Sequence, residues 1–442
     1  MKRKILISVI LLMALVLSLA GCAGAGLPNT PGTSGTPGGN GSKVENVDGE
    51  IKSSRLSTDD VAYGGAMVDA EAAAYAADVA TGTPYPAEPG GLYDGIVEGY
   101  PRYDDQTVYG AGTLTAGEWR DNANYADWKD KFQQSEWTKL AEDWNVPTLN
   151  RVVVTASVGD SVIGEGAKVR LLDAQGNVLY RAVSDNRGVA YLFVPTGSRA
   201  ASVEAEFAGE VVRADCDGVS EVRLSFNLRY EPTARKLDLM LMVDTTGSMS
   251  DELEYLKAEL KDVVERAQSV SGVASVRTSV NFYRDEGDEY VVRYFGFRDS
   301  IDEAVAKLSE QHAAGGGDMP EAVHTALDNA VNQHAWDDGS IKLMFLVLDA
   351  PPHYNDEVVK SINESLSRAA EMGIRIIPVV ASGSDLTCEV LFRSMAVLTG
   401  GTYAFLTDDS GIGYPHSAPQ VGEYDVEKLN DLMVRVISEY CS

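Results

Sequence analysis

The chain has 442 residues, 44% of them hydrophobic, enough to bury several cores and to form two or three domains. It carries 37 basic against 66 acidic residues, a formal net charge of -29. Nucleic-acid binding needs basic patches, so this balance argues against it; it suits a soluble extracytoplasmic surface and cation binding.

The N-terminus reads Met-Lys-Arg-Lys followed by an apolar run from Ile5 to Ala20, the charged and apolar regions of a secretory signal. The run closes on Leu19-Ala20-Gly21-Cys22, which resembles the bacterial lipobox. That resemblance implies a signal peptide over 1–21, cleavage before Cys22 and a lipid on its thiol, which would anchor the chain at the outer side of a bacterial cell membrane. An ordinary signal peptide or an uncleaved anchor is the alternative. Ala23 to Ser42 is almost wholly Gly, Pro, Ala, Thr, Ser and Asn. It reads as part of a flexible linker over 22–45, because it holds too little apolar surface to offset the entropy of ordering. Once Cys22 is lipidated three cysteines remain, which excludes a full disulfide framework. Cys388 and Cys441 fall at expected helix ends and could pair.

Residues 46–147 carry the least information. An Ala-rich stretch, Ala66 to Ala80, precedes Gly/Pro/Tyr-rich sequence. Trp128, Phe132, Trp137, Leu140 and Trp144 then recur at roughly helical spacing and predict one helix from Tyr125 to Trp144. The aromatics suit packing on a neighbour better than a carbohydrate platform.

From Arg151 the period becomes two. Val152/Val154, Val169/Leu171, Leu192/Val194 and Val222/Leu224/Phe226/Leu228 alternate with mostly polar residues, with turns at 164–166, 174–177 and 185–188. Short alternating strands with regular turns predict an all-β sandwich over 148–230. The strand Gly-Ala-Lys-Val-Arg-Leu-Leu-Asp173 and the segment Ser184-Asp-Asn-Arg-Gly-Val-Ala-Tyr-Leu192 resemble the carboxypeptidase-regulatory or transthyretin-like sandwiches of secreted bacterial proteins.

From Leu237 apolar strands alternate with amphipathic helices: strands at 237–243, 276–284, 290–297, 342–348, 374–380 and 402–406, helices at 250–268, 301–310, 319–335, 356–372, 386–399 and 424–440. The unbroken apolar runs Leu239–Val243 and Leu343–Leu348 suit strands buried on both faces. The pattern predicts an α/β, doubly wound, Rossmann-like sheet, with ligands beyond the carboxyl ends of its strands.

The first of these strands runs into Asp244, Thr246 and Ser248, three oxygen-bearing side chains at alternate positions. Asp244-Thr-Thr-Gly-Ser-Met-Ser, Gly315-Gly-Gly-Asp-Met-Pro-Glu-Ala and Phe345-Leu-Val-Leu-Asp-Ala-Pro-Pro-His353 together resemble three landmarks of the von Willebrand factor type A (vWA) fold over 235–442. The resemblance implies a metal-ion-dependent adhesion site, with Asp244, Thr246, Ser248, Asp318 and Asp349 as ligands of Mg2+, or of Mn2+ or Ca2+. Oxygen donors in this number suit such hard cations. It also implies a binding function toward a protein or other surface ligand. The adhesive animal members carry Thr where Asp318 stands. A third carboxylate would hold the cation more firmly and weaken its pull on an acidic partner, so a structural envelope component with a purely structural metal is the rival reading, and an assembly partner of another complex a further one.

Asp285, Asp288 and Glu289 follow a strand and could line the site, but suit a solvated turn better; His353 and His416 read as structural or hydrogen-bonding residues of loops. No nucleophile and base stand at recognisable spacing, so an enzyme is not expected.

Overall fold

The computed structural model describes residues 48–52, 109–159, 162–231, 233–317 and 319–442. The leader, Cys22, the linker, the Ala-rich stretch and Asp318 lie outside the described residues.

Ahead of the sandwich region come β1 (Asp48–Ile51), β2 (Thr115–Trp119), α1 (Tyr125–Lys131) and α2 (Ser135–Asp143). The sandwich region contributes β3 (Arg151–Val158), β4 (Val162–Ile163), β5 (Lys168–Leu172), β6 (Val178–Val183), β7 (Val189–Phe193), β8 (Ser202–Phe207), β9 (Glu210–Asp215) and β10 (Glu221–Phe226). The α/β region follows with β11 (Arg235–Asp244), α3 (Leu253–Ala267), β12 (Val273–Tyr283), β13 (Val292–Phe295), α4 (Ile301–Ser309), α5 (Val323–Asn332) and β14 (Ile341–Leu348). It ends with α6 (Asp356–Met372), β15 (Ile374–Val380), α7 (Leu386–Thr399), β16 (Tyr403–Leu406), β17 (Glu427–Lys428) and α8 (Leu429–Cys441).

The large sheet runs β1-β13-β12-β11-β14-β15-β16-β2-β17. Its centre, β12 to β16, is parallel, and β13 and β2 pair antiparallel at its flanks. The unbroken apolar runs serve two faces at once. Leu239, Leu241, Val243, Phe345 and Val347 enter one core with α3 and α8, while Met240, Met242, Met344 and Leu346 enter the other with α5, α6 and α7. Strands covered on both faces need this composition. Cys388 lies in one of these cores and Cys441 in the other. The two therefore cannot pair, and both are buried free thiols.

Both flanks of the sheet are supplied from upstream of residue 235. β1 pairs with β13, and β2 pairs with β16 and β17. Glu259 of α3, fully buried, accepts the backbone N–H groups of Gly112, Thr113 and Leu114. Three charge-assisted bonds on one buried carboxylate hold the entry to β2. The pairing of β17 with β2 also explains why α8 starts at Leu429 rather than at 424.

The predicted helix over 125–144 is two helices with a turn at Phe132–Gln134. On one continuous helix Trp128 and Trp137, nine residues apart, would face opposite ways. The turn lets both reach the same place, where they meet edge to face with ring centroids 5.8 Å apart. Between them lies Arg393 of α7, 5.1 Å from each ring. Its guanidinium donates to Asp121 at 2.6 and 3.0 Å and to Glu389 at 2.7 Å. The expected helix at 319–335 shortens to 323–332 because Glu321 makes a bridge with Pro352 instead of entering the helix.

Residues 151–226 form two four-stranded sheets, one with β3 paired to β10, β4 and β7, the other in the order β6-β5-β8-β9. They share one core of alternating residues that includes Val154, Leu171, Leu192, Val203 and Phe226. β3 and β10 run parallel. This unit docks on the end of the α/β region where strands begin and helices finish. Tyr180 donates to the carbonyl of Leu398 at 2.8 Å, Arg375 to that of Val183 at 2.6 Å, and Asn186 to those of Glu439 and Ser442. Gly373, at φ 74° the C-cap of α6, sits against Val183, where a Cβ would come within 3.0 Å of that side chain.

The side chains of Arg393 and Asp121 are 0% and 2% exposed. Removing the cation from such a pair strands a buried charge at a cost of about 3–5 kcal/mol. Arg393→Met should therefore lower the unfolding free energy in urea by that order, with Trp fluorescence as the probe. An unchanged midpoint would show that the clamp does not hold the upstream helices.

Candidate metal centre

The register of β11 against β14 pairs Val243 with Val347. Asp244 ends β11, and Asp349 immediately follows β14 on the neighbouring strand. The two carboxylates therefore leave the sheet side by side at its carboxyl edge. Asp244 is fully buried and Asp349 is 5% exposed.

Asp244 turns one oxygen to its own loop. Its Oδ1 accepts the Thr246 N–H at 2.8 Å and the Thr246 hydroxyl at 2.6 Å, and the Ser248 hydroxyl lies 3.2 Å from that of Thr246. This side-chain brace bends the chain into a 3-10 turn at Gly247–Asp251 before α3 begins. The other oxygen, Asp244 Oδ2, is buried and makes no hydrogen bond of normal geometry, although the buried Tyr283 hydroxyl lies near enough to the carboxylate to favour its charge; Asp349 Oδ1 is likewise buried without a partner. Burial pushes both carboxyls above the usual range. Thr246 works against this at Asp244, the charge of Asp244 adds to it at Asp349, and the Ser248 hydroxyl opposes it there.

The glycine loop lies directly on this turn. Ala314 donates to the carbonyl of Thr245 at 3.0 Å and Gly247 to that of Gly315 at 3.2 Å. Gly315 has φ 80°, and a Cβ there would fall 2.3 Å from the Asp288 carboxylate. Only glycine meets both conditions. Asp318 follows three residues later, outside the described residues.

The acidic segment after β12 is tied in rather than solvated. Asp288 accepts the N–H groups of Asp285 and Gly316 at 3.1 and 2.9 Å. Asp285, 6% exposed, meets His353 Nε2 at 2.7 Å. Glu289 alone of the three stays largely exposed. His416, its side chain 6% exposed, lies 3.0 Å from buried Glu252 and 2.8 Å from Asp408.

Glu321 belongs to the second motif, but its place in the sequence assigns it no role. It is 2% exposed, its Oε2 is unpartnered, and its backbone donates to the carbonyl of Pro351 at 2.9 Å. Burial first, then the charges of Asp244, Asp285, Asp349 and Asp288, push its carboxyl to about 9. A second carboxylate three residues after Asp318 in one motif was the available signal.

Among the described residues no group of three or more His, Cys, Asp and Glu side chains is spaced to cage a metal ion. The described part of the predicted donor set is Asp244, Thr246, Ser248 and Asp349, two of them hydroxyls. It fits a hard divalent cation in donor chemistry, all oxygen, and in its two buried carboxylate oxygens without partners.

Residues 238–410 match the von Willebrand factor type A domain. Such a domain is thus present, with a mixed sheet covered by helices. The chain is 27% identical over 188 residues to a putative ariadne-like RING finger protein of Acanthamoeba polyphaga mimivirus, a match that covers 38% of this chain and 18% of that protein. It is 28% identical over 217 residues to alpha-protein kinase vwkA of Dictyostelium discoideum, covering 49% of this chain and 34% of that one. The chain thus spans well under half the length of either relative. Among solved structures it is similar to proximal thread matrix protein 1 of the mussel byssus, 16% identical with a TM-score of 0.34 over 47% of each chain. The zinc-occupied form of that protein gives 0.35, over 47% of this chain and 46% of that one.

The raised Glu321 carboxyl has a consequence for metal-free protein. An acid whose folded value lies above its unfolded one binds more protons when native, so its contribution to stability is present at low pH and is lost as pH rises. In EDTA, urea unfolding should show stability falling between pH 4.5 and about 9, and Glu321→Gln should flatten that slope. An equal slope in the variant would contradict the burial of this charge.

Proposed function

We propose that this protein is an extracytoplasmic, lipid-anchored binding protein. Its VWA domain would take a divalent cation, Mg2+ first, with Mn2+ or Ca2+ as alternatives, at Asp244, Thr246, Ser248, Asp318 and Asp349, and would use it to engage a protein or other surface ligand. One observation carries the reading: two buried carboxylate oxygens, on Asp244 and Asp349, lie without partners at the edge of the sheet beside two hydroxyls. A bound cation would offset their charge and offer a coordination position to an acidic group.

The protein's own residues have separate tasks in this reading. Thr246 orients Asp244 and presents its hydroxyl beside that of Ser248. The glycine loop packs on the turn at residues 245–247, and Asp318 follows it in the sequence. Met319, Tyr354 and Tyr414, all more than half exposed, sit on loops at this end of the sheet and offer apolar contact to a partner. The two-sheet unit of residues 151–226, read as a carboxypeptidase-regulatory or transthyretin-like sandwich, docks at the opposite end, which suits a stalk that turns the site away from its attachment. Among the described residues no helix is long and apolar enough to cross a membrane; anchoring would rest on lipidated Cys22. We infer binding rather than catalysis, because no nucleophile and base stand at recognisable spacing in the sequence; His353 meets Asp285, His416 meets Glu252 and Asp408, and His324 lies 3.6 Å from Glu286.

A second reading, a metal that only ties the loops together, is favoured by the concentration of acid around the site. Asp285, Asp288 and Glu321 add negative charge that weakens a cation's attraction for an acidic partner.

Calorimetry with Mg2+ and Mn2+ should show uptake by the wild type and none by Asp244→Ala; equal uptake by both would sink the site. Capture of surface material should be lost in chelator if the metal bridges the ligand, and chelator-resistant capture would favour the tying role. Metabolic labelling with a palmitate analogue should tag the full chain but not Cys22→Ala. Labelling of both would remove the anchor.

A further inference from the structure

We infer that Glu321 is a further residue of the cation site, a positioning carboxylate that would steady a water of the ion's shell beside Thr246. The inference rests on the cation-binding reading above. The carboxylate is almost wholly buried and keeps one oxygen, Oε2, without a partner. Its other oxygen lies beside the loop that braces Asp244. A Cβ on Gly316 would stand 3.1 Å from Glu321 Oε1, 3.5 Å from Thr246 Cβ and 3.8 Å from the backbone nitrogen of Gly247. Glu321 and Thr246 thus approach one another across the absent side chain of Gly316, whose φ of 69° itself favours glycine.

Nothing cationic offsets this carboxylate: none of the ion pairs among the described residues includes Glu321, and the charges acting on it are those of four aspartates. Its place is fixed from behind, since its N–H bonds Pro351 and the residue bridges Pro352, two positions beyond Asp349. A buried acid held this firmly against other acids, with an open oxygen, suits a ligand that brings positive charge or a hydrogen-bond donor. Asp244, Asp349 and Glu321 are not spaced to cage an ion between them, so the role inferred for Glu321 is toward a water of the ion's shell and not as a direct ligand. Mg2+ and its analogues retain several waters when bound, and residues that hold the shell affect affinity nearly as strongly as the ligands do.

The test is Mn2+ titration calorimetry on the full chain, with wild type, Glu321→Gln, Glu321→Asp and Asp244→Ala, and thermal melting of each in EDTA. Glu321→Gln is expected to weaken Mn2+ binding by about 10–100-fold while melting no lower than wild type in EDTA, and Glu321→Asp to recover part of the loss. Wild-type affinity in Glu321→Gln would overturn the inference and leave the cation site standing. Weaker binding accompanied by a lower melting temperature in EDTA would overturn it too, as the mark of a merely structural residue. No uptake by the wild type would overturn both.

Discussion

The arrangement depends on one electrostatic constraint: two carboxylates are delivered side by side into a dry corner of the protein. β11 and β14 are neighbours in the sheet, in register and covered on both faces. Their shared apolar character keeps water from the strands and from the first residues beyond them. Asp244 and Asp349 stand at that boundary. Each is buried, each keeps an oxygen without a geometric partner, and the charge of Asp244 raises the cost of ionising Asp349. The surrounding structure is a set of braces that keeps this unfavourable pair from relaxing. Thr246 grips Asp244, the glycine loop is hydrogen bonded onto the same turn, and Asp288 pins that loop from the other side. Preorganised oxygen without internal satisfaction is what a hard cation requires.

A strained corner needs a rigid frame, and the frame extends beyond the region that carries the motifs. Chain from upstream of residue 151 closes both flanks of the sheet through β1 and β2, while Glu259 and Arg393 fasten it with buried, charge-assisted bonds. Edge strands that would otherwise offer unpaired groups are covered. The two-sheet unit attaches where the strands begin, so the loops at the other end are free of it. Attachment and site are thus separated by the length of the sheet.

Much of the α/β region could be read directly. The strand and helix periods switch cleanly, and α6, β15 and α7 fall where the pattern puts them, because each is bounded by an N-cap or a C-terminal glycine with a local signal, such as Asn355, Asp385 and Gly373. The misread places are those where a distant partner overrides local pattern. Helical spacing of aromatics across 125–144 conceals a turn that brings Trp128 and Trp137 to either side of Arg393. The start of α8 moves because β2 claims Glu427 and Lys428. Asp288, a surface-turn residue by composition, is drawn in by the backbone of Gly316.

The same division runs through the site. Sequence alone determined that Asp244, Thr246 and Ser248 share one loop at a strand's end, because spacing along a strand and turn is a local property. It also placed Asp349 at a strand's end and set a glycine-rich, acidic loop between them. Only the tertiary structure decided that register brings Asp244 and Asp349 together, that Glu321 is buried against the same loop, and that one oxygen of each is left unsatisfied. Those are facts about packing between segments far apart in the chain, and burial, which sets the energy of every charge here, has no local signature.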